Sequence, residues 1–287
     1  MSHARLGAAL AGLPPIGLEE LVSRALLQTR VDRKYVLPVD TVRTLLRRLP
    51  AGTRVLEIDD DRSFAYRSLY FDTPDLVSYL LTARRRRRRF KIRTRLYEQS
   101  SECWLEVKVR GTRGSTVKQR LPYHPDDHGT LAPGRPFVDA TLAEHQVAGR
   151  ERFAFVPTLT TRYRRTTLYL PDTNSRVTID TDLMWQDDTH RIHLPSLAVV
   201  ETKTGSTASQ ADRLLWRLHH RPSRISKYAT GLAALRPHLP SGPWRRTLRR
   251  EFPSSTLRTE PPARIPSRDL PDAVTDRAEA RTAGSRG

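Results

Sequence analysis

Lys91-Ile92-Arg93-Thr94-Arg95 and, further along, Trp104-Leu105-Glu106-Val107-Lys108-Val109-Arg110 decide how this chain is read. Successive side chains of a strand point to opposite faces. The first stretch therefore puts three bases on one face. The second puts Leu105, Val107 and Val109 on one face and Glu106, Lys108 and Arg110 on the other. The same alternation sets Lys118 and Arg120 against Val117 and Leu121. It sets Arg176, Thr178, Asp180 and Asp182 against Val177 and Ile179, and places Glu201 and Lys203 behind Val200. Any one such strand is accounted for by polar residues facing water. Five strands that repeat Lys/Arg with a few acids fit another arrangement better: charged faces lining a lumen, apolar faces meeting outer helices.

Working outward, two-fold patterns predict strands at Ser63–Phe71, Phe90–Tyr97, Cys103–Arg110, Thr116–Leu121, Thr158–Leu170, Arg176–Asp182 and Leu197–Lys203. Turn chemistry separates them at Asp72-Thr73-Pro74, Gly111 to Gly114 and Pro171 to Asn174. Helical spacing marks the lead-in 1–28 (Leu18, Leu21, Val22, Ala25), Val39–Leu49, Leu76–Leu81, Thr141–Arg150 and Ser209–His219. From about residue 239 to 287 the chain is rich in Pro, Ser, Thr and Arg without periodicity, and a disordered tail is expected. The body, 29–238, is expected to be α+β: a closed or nearly closed antiparallel β-barrel tunnel with flanking helices.

The charge balance narrows the partner. Fifty Lys+Arg stand against 31 Asp+Glu, +19 over 287 residues, which points to a polyanion. One cysteine, Cys103, excludes a disulfide framework, and no Cys/His cluster has zinc spacing. No apolar run approaches the roughly 20 residues of a membrane span, and a cytoplasmic protein is expected. Only six of the fifty bases are lysine: Lys34, Lys91, Lys108, Lys118, Lys203 and Lys227. Lysine is a compact point charge and arginine a planar fork. A lysine kept in an arginine-saturated chain is thus a candidate for a role that arginine fills badly. Converging cations in a confined lumen offset phosphate charge. The interspersed acids make sense if a divalent metal bridges protein and phosphates, whereas a nucleic-acid surface has little use for them.

These segments resemble the VTC domain, the polyphosphate polymerase branch of the CYTH or triphosphate tunnel metalloenzyme superfamily. The resemblance runs from about Thr29 to Gly231. It is carried by Arg30-Val-Asp-Arg-Lys-Tyr35, Tyr70-Phe-Asp-Thr73, Lys91-Ile-Arg-Thr-Arg95, Leu105-Glu-Val-Lys108, Tyr163-Arg-Arg-Thr166, Arg176-Val-Thr-Ile-Asp180, Glu201-Thr-Lys203 and Ser226-Lys227-Tyr228. It implies a tunnel of antiparallel strands that transfers the γ-phosphoryl group of ATP onto phosphate or polyphosphate with Mn²⁺ or Mg²⁺ bound. By that resemblance Lys34, Arg93, Arg95, Lys108, Arg165 and Arg176 hold the triphosphate, and Glu201 is the main metal ligand. Ser226 and Lys227 match a late phosphate-binding pair, Arg224 stands where lysine is frequent, and Tyr163 packs against the nucleotide. Lys91, Glu106, Lys118, Arg120 and Lys203, on the same charged faces, complete the expected substrate-binding set. The hydrolytic and cyclase branches open with Glu-x-Glu-x-Lys; here the stretch is Arg30-Val-Asp32-Arg-Lys34, with one acid, which favours the polymerase. The resemblance also implies a stand-alone version without the membrane segments and extra N-terminal domain of the eukaryotic assemblies.

Two other activities fit the same tunnel: a triphosphatase with water as acceptor, and a non-catalytic binder of polyphosphate or RNA. The run Arg84 to Arg89 reads as a solvated lead-in to the Lys91 strand, a guide for polyanion, or a nucleic-acid contact. His190 and His193 lack a third metal partner nearby, and His219-His220 reads as a helix end. Cys103 is expected half-buried in a strand, and Trp104, Trp185 and Trp216 as packing. Asp180 and Asp182 either assist the metal or pair with Arg176 or a neighbour. Arg245, Arg246, Arg249 and Arg250 are read as loose electrostatic contacts.

Overall fold

The computed structural model describes residues 2–24, 31–111, 116–252 and 257–259. Twelve strands form one sheet: β1 (Pro15–Ile16), β2 (Val31–Pro38), β3 (Arg54–Leu56), β4 (Phe64–Asp72), β5 (Phe90–Tyr97), β6 (Glu102–Arg110), β7 (Thr116–Tyr123), β8 (Val156–Leu170), β9 (Ser175–Gln186), β10 (His190–Leu194), β11 (Leu197–Thr204) and β12 (Leu257–Thr259). The helices are α1 (Ser2–Ala11), α2 (Leu18–Arg24), α3 (Val39–Arg47), α4 (Val77–Ala83), α5 (Arg135–Glu144), α6 (Gln210–Arg217), α7 (Lys227–Leu235) and α8 (Arg245–Glu251). Arg30, the turn residues 112–114 and most of the tail expected after 238 lie outside the described residues.

The main path runs β7-β6-β5-β4-β8-β9-β11-β2, antiparallel throughout; β10 and β12 extend one end of β9, and β3 and β1 one end of β8. The expected α+β antiparallel tunnel is present as a curved sheet. It is not a closed barrel, because among the described residues β2 and β7 form no ladder with each other. The curl is nevertheless tight. β5 and β2 are five positions apart, about 24 Å in a flat sheet at ordinary strand spacing. Lys34 on β2 is still near enough to Lys91 on β5 to depress its pKa.

The apolar faces meet outer helices, as the alternation requires. Tyr35, Leu37, Val177, Ile179, Ala198 and Val200 pack under α1, α3 and α6 through Leu6, Val42, Leu45 and Leu215. Ile92, Leu105, Val107 and Val109 pack under α5 through Val138 and Leu142. One end of the concave side is apolar too. There α7, visible in the sequence only as a short motif, inserts Tyr228, Ala229 and Leu232 against Tyr70, Tyr163, Leu183 and Trp185. The lumen is therefore charged at one end and plugged at the other.

Other differences have local causes. The helix expected at Thr141–Arg150 begins earlier, at Arg135, because Pro136 favours a helix start there; Gln146 and Gly149, both at positive φ, end the segment. Asp182 leaves the face of Asp180: the register of β8 and β9 shifts between Arg162 and Arg164, Asp182 has φ 53°, and its side chain is exposed. Ordered structure also runs past residue 238, since Trp244 is buried against Tyr79 and leads into α8.

Docking of α7 depends on Gly231. A Cβ there would lie 2.1 Å from Cδ1 of Trp185, whose Nε1 donates to the Lys227 carbonyl at 2.8 Å. Gly231→Ala is expected to destabilise the fold by about 1–3 kcal/mol through overpacking. Thermal unfolding followed by tryptophan fluorescence measures it, and an unchanged midpoint contradicts the close approach.

Candidate active site

Three carboxylates organise the cations on the concave face, each shared by two of them; Glu106 and Asp180 are buried and Glu201 half-buried. On β6, Glu106 accepts from Arg93 Nε at 2.7 Å and pairs with Lys118. On β9, Asp180 accepts from Arg165 Nε at 2.6 Å and Nη2 at 2.8 Å, and pairs with Lys227 at the start of α7. On β11, Glu201 pairs with Lys203 and lies 3.4 Å from Lys34 Nζ. Strand register explains the grouping: Arg93 faces Glu106, Arg165 faces Asp180, and Lys34 faces Glu201.

Tyrosines and serines complete the cage. Arg93 Nη1 donates to Tyr70 Oη at 2.9 Å, and Arg95 donates to Tyr163 Oη at 3.0 Å and Ser68 Oγ at 3.3 Å. Tyr66 stacks on Tyr163 at 5.4 Å, and Lys227 Nζ lies 4.5 Å from the Tyr163 ring centroid. Lys91 Nζ donates to Ser226 Oγ at 2.8 Å, so the segment before α7 laces β5 to the opposite wall. The same segment reaches β2 through Ser223 N to Lys34 O at 2.7 Å. Asp72 fastens the other side of α7, accepting from the Tyr79 amide at 2.8 Å and from the Tyr228 hydroxyl.

The electrostatics follow from this crowding. Burial raises Asp180, but Arg165 and Lys227 outweigh it and hold its pKa down to about 2. Burial likewise raises Glu106 and Glu201, and their cations keep both well below the carboxylate range. Lysines suffer the reverse. Burial, then Lys34, Arg93 and Arg89, lowers Lys91 to about 7. Lys203 falls to about 8 by burial despite Glu201. Lys108 is depressed by burial and by Arg93, more than Glu106 restores. Lys91, Lys108 and Lys118 stand opposite one another across β5, β6 and β7, a row of three like charges.

Most of the residues singled out in the sequence thus converge: Lys34, Lys91, Arg93, Arg95, Lys108, Lys118, Arg165, Lys203, Ser226 and Lys227, with Arg176 opposite Lys203 at the next rung. Some take other parts than expected. Glu106 faces cations on both sides and repels phosphate, so it orients Arg93 and Lys118 rather than binding substrate. Tyr163 is 3% exposed, covered by Tyr66 and Lys227, and offers no stacking surface to a base. Arg120 lies over the Trp104 ring at 4.3 Å, and Arg224 lines a separate cavity. Asp182 pairs with His193 at 2.7 Å, so neither joins a metal group. Tyr66, Ser68 and Tyr70 join the site without having been expected there, although their spacing of two along β4 already put them on one face.

Among the described residues no three acidic, His or Cys side chains converge to hold a metal. The donor set fits one mode of binding. Mg²⁺-like cations are commonly held by one or two carboxylates plus substrate phosphates. Glu201, with its side chain 15% exposed against 1% for Glu106 and Asp180, is the carboxylate a metal–phosphate can reach.

The family profile of the VTC domain matches residues 29–236. Among solved structures, the chain is similar to a candidate adenylate cyclase from Vibrio parahaemolyticus (11% identity, 72% of this chain and 98% of that one, TM-score 0.42). It is also similar to an adenylyl cyclase candidate from Hippeastrum with a dominant triphosphatase activity (15%, 70% and 94%, 0.43), and to a candidate adenylate cyclase from Bacillus halodurans (14%, 70% and 96%, 0.44). No curated protein matches the chain.

Removing one partner from a buried ionic cluster leaves its charges uncompensated, a loss of about 3 kcal/mol or more. Glu106→Gln is expected to lower the unfolding midpoint accordingly, and tripolyphosphate to restore most of it by replacing the missing negative charge. Calorimetry with and without tripolyphosphate tests this; a variant as stable as the parent without the anion contradicts the shared-carboxylate reading.

Proposed function

The chain belongs to the VTC domain family, and on that premise we propose that it is a polyphosphate polymerase that transfers the γ-phosphoryl group of ATP to a growing phosphate chain. The observation that carries the proposal is the confinement of all six lysines and four arginines around three carboxylates on one concave surface. Phosphoryl transfer asks little covalent chemistry of a protein and much positioning and charge stabilisation.

In this reading Lys34, Arg165, Arg176, Lys203 and Lys227 grip the triphosphate from one wall, and Arg93, Arg95 and Lys108 from the other. A terminal oxygen of the acceptor phosphate attacks the γ-phosphorus. The bond from that phosphorus to the β–γ bridging oxygen breaks, and ADP leaves with the electron pair. Cations fixed by Glu106 and Asp180 need no rearrangement as charge shifts toward the bridging oxygen, which is what preorganised stabilisation requires. Ser226, held by Lys91 and capping α7 through the Ala229 amide at 3.2 Å, keeps Lys227 aimed at the cage. Glu201 would hold Mn²⁺ or Mg²⁺ together with phosphate oxygens, and the metal would supply additional charge neutralisation. The single acid Asp32 at the head of the family motif, in place of two, favours chain growth over hydrolysis. Consumption of ATP agrees with the cytoplasmic setting expected from the sequence. Among the described residues no helix is long and apolar enough to cross a membrane.

Incubation with ATP and Mn²⁺, with products resolved by gel and ³¹P NMR, is expected to show ADP and lengthening phosphate chains. Lys108→Ala and Glu201→Gln are each expected to lower the rate by about a hundredfold or more, the scale of losing one charge-stabilising group, with folding retained by circular dichroism. Free phosphate without chains would assign a triphosphatase. Turnover unaffected by both substitutions would overturn the site.

A further inference from the structure

A second positively lined space adjoins the cage. A cavity of about 1200 Å³ lies beyond the start of β5 and the end of β6; six arginines line it, with Glu144 as its one acid. Arg85, Arg87 and Arg89 come from the run between α4 and β5, Arg110 ends β6, and Arg224 precedes α7.

The run is mounted rather than loose. Arg85 has φ 54° and closes α4 with Arg85 N to Thr82 O at 3.1 Å and Arg86 N to Leu81 O at 2.9 Å, the paired bonds of a Schellman ending. Arg88 donates to the Gln146 carbonyl at 2.8 Å and to its side chain at 2.9 Å.

Strand register joins this cavity to the cage. Arg110 N donates to Arg89 O at 3.0 Å, which sets those two residues side by side. The next same-face rung, about 6.6 Å along the strands, is Lys91, Lys108 and Lys118. The rung after that is Arg93, Glu106 and Arg120. Carboxylate first appears at the third rung; the two nearer the cavity carry cations and, at Thr116, one neutral side chain. Arg89 has its pKa lowered by burial and by Arg110, the mark of like charges held together. A stretched chain of phosphates matches such a ladder. A nucleic acid fits it less well, because the two aromatic rings lining the cavity are largely covered: Trp244 is 4% exposed and the His145 side chain 16%, which leaves little face for a base.

We propose that the arginine cavity is a second polyphosphate-binding site, which grips the chain several phosphates away from the reacting end and makes the protein hold long chains better than short ones. That the gripped segment is product rests on the polymerase reading; the preference for length is a binding property of this cavity and is measured without ATP or metal.

Calorimetric titration of the full chain with tripolyphosphate and with long-chain polyphosphate tests it. Long chains are expected to bind about tenfold tighter than tripolyphosphate, because the second contact is intramolecular. Arg85→Gln/Arg87→Gln/Arg110→Gln is expected to abolish that difference while leaving the affinity for tripolyphosphate within about twofold, since none of the three is among the groups that grip the triphosphate. Arg87→Gln alone, at an exposed position, is expected to lose part of it and guards against misfolding of the triple variant. Equal affinity for both ligands in the parent protein, a length preference that survives the triple substitution, or single-stranded RNA that displaces the long chain at equal charge each overturns the proposal. None of these results depends on turnover, so failure of the polymerase reading is scored separately by the absence of ADP.

Discussion

Like charges forced together in a partly buried space are unfavourable, and the concave side of this sheet is built from them. Three carboxylates, each divided between two cations, keep the cluster tolerable. They do not neutralise it: Lys91 and Lys108 remain depressed by burial and by their neighbours. A surface in that condition gains most when an anion of matching charge density arrives. Its stability has to come from elsewhere, because buried ion pairs contribute little net free energy after desolvation. That source is the two apolar layers on the outside of the sheet, under α1, α3 and α6 on one side and α5 on the other.

The scaffold also fixes where the charges point. Tyr35 and Thr202, on the outer faces of β2 and β11, both donate to buried Asp212 at 2.7 Å, and Asp212 closes the capping box of α6. Their neighbours Lys34 and Glu201 are thereby held on the inner face. On the far wall, Asp72 ties α4 to α7, and Trp185 of β9 makes the close approach to Gly231 of that helix. Helix α7 thus does two jobs. Its apolar body closes one end of the lumen, and its first residues put Ser226 and Lys227 among the phosphate-directed groups.

Much of this is legible in the sequence. Strand alternation sets the charged and apolar faces correctly for β5, β6 and β11, and for β9 as far as Asp180, because a period of two is a local property. The scarcity of lysine points to the cage more sharply than any motif: Lys34, Lys91, Lys108, Lys118, Lys203 and Lys227 all lie on the charged concave faces. Non-local geometry is beyond such reading. The twist of Asp182 away from Asp180 arises from a register shift against another strand. The burial of Tyr163 comes from Tyr66, and the pinning of the Arg84 to Arg89 run comes from Gln146, both distant in the chain. Glu106 looks like a substrate contact from its own strand alone, because its facing partner Arg93 lies on another.

A crystal structure with tripolyphosphate and Mn²⁺, the metal located by its anomalous signal, bears most directly on the idea that confined cations hold a phosphate chain. Phosphate density is expected between the Arg165–Lys227 wall and the Arg93–Lys108 wall, with the metal against Glu201. Phosphate found only on the outer surface, with the concave face empty, would contradict it.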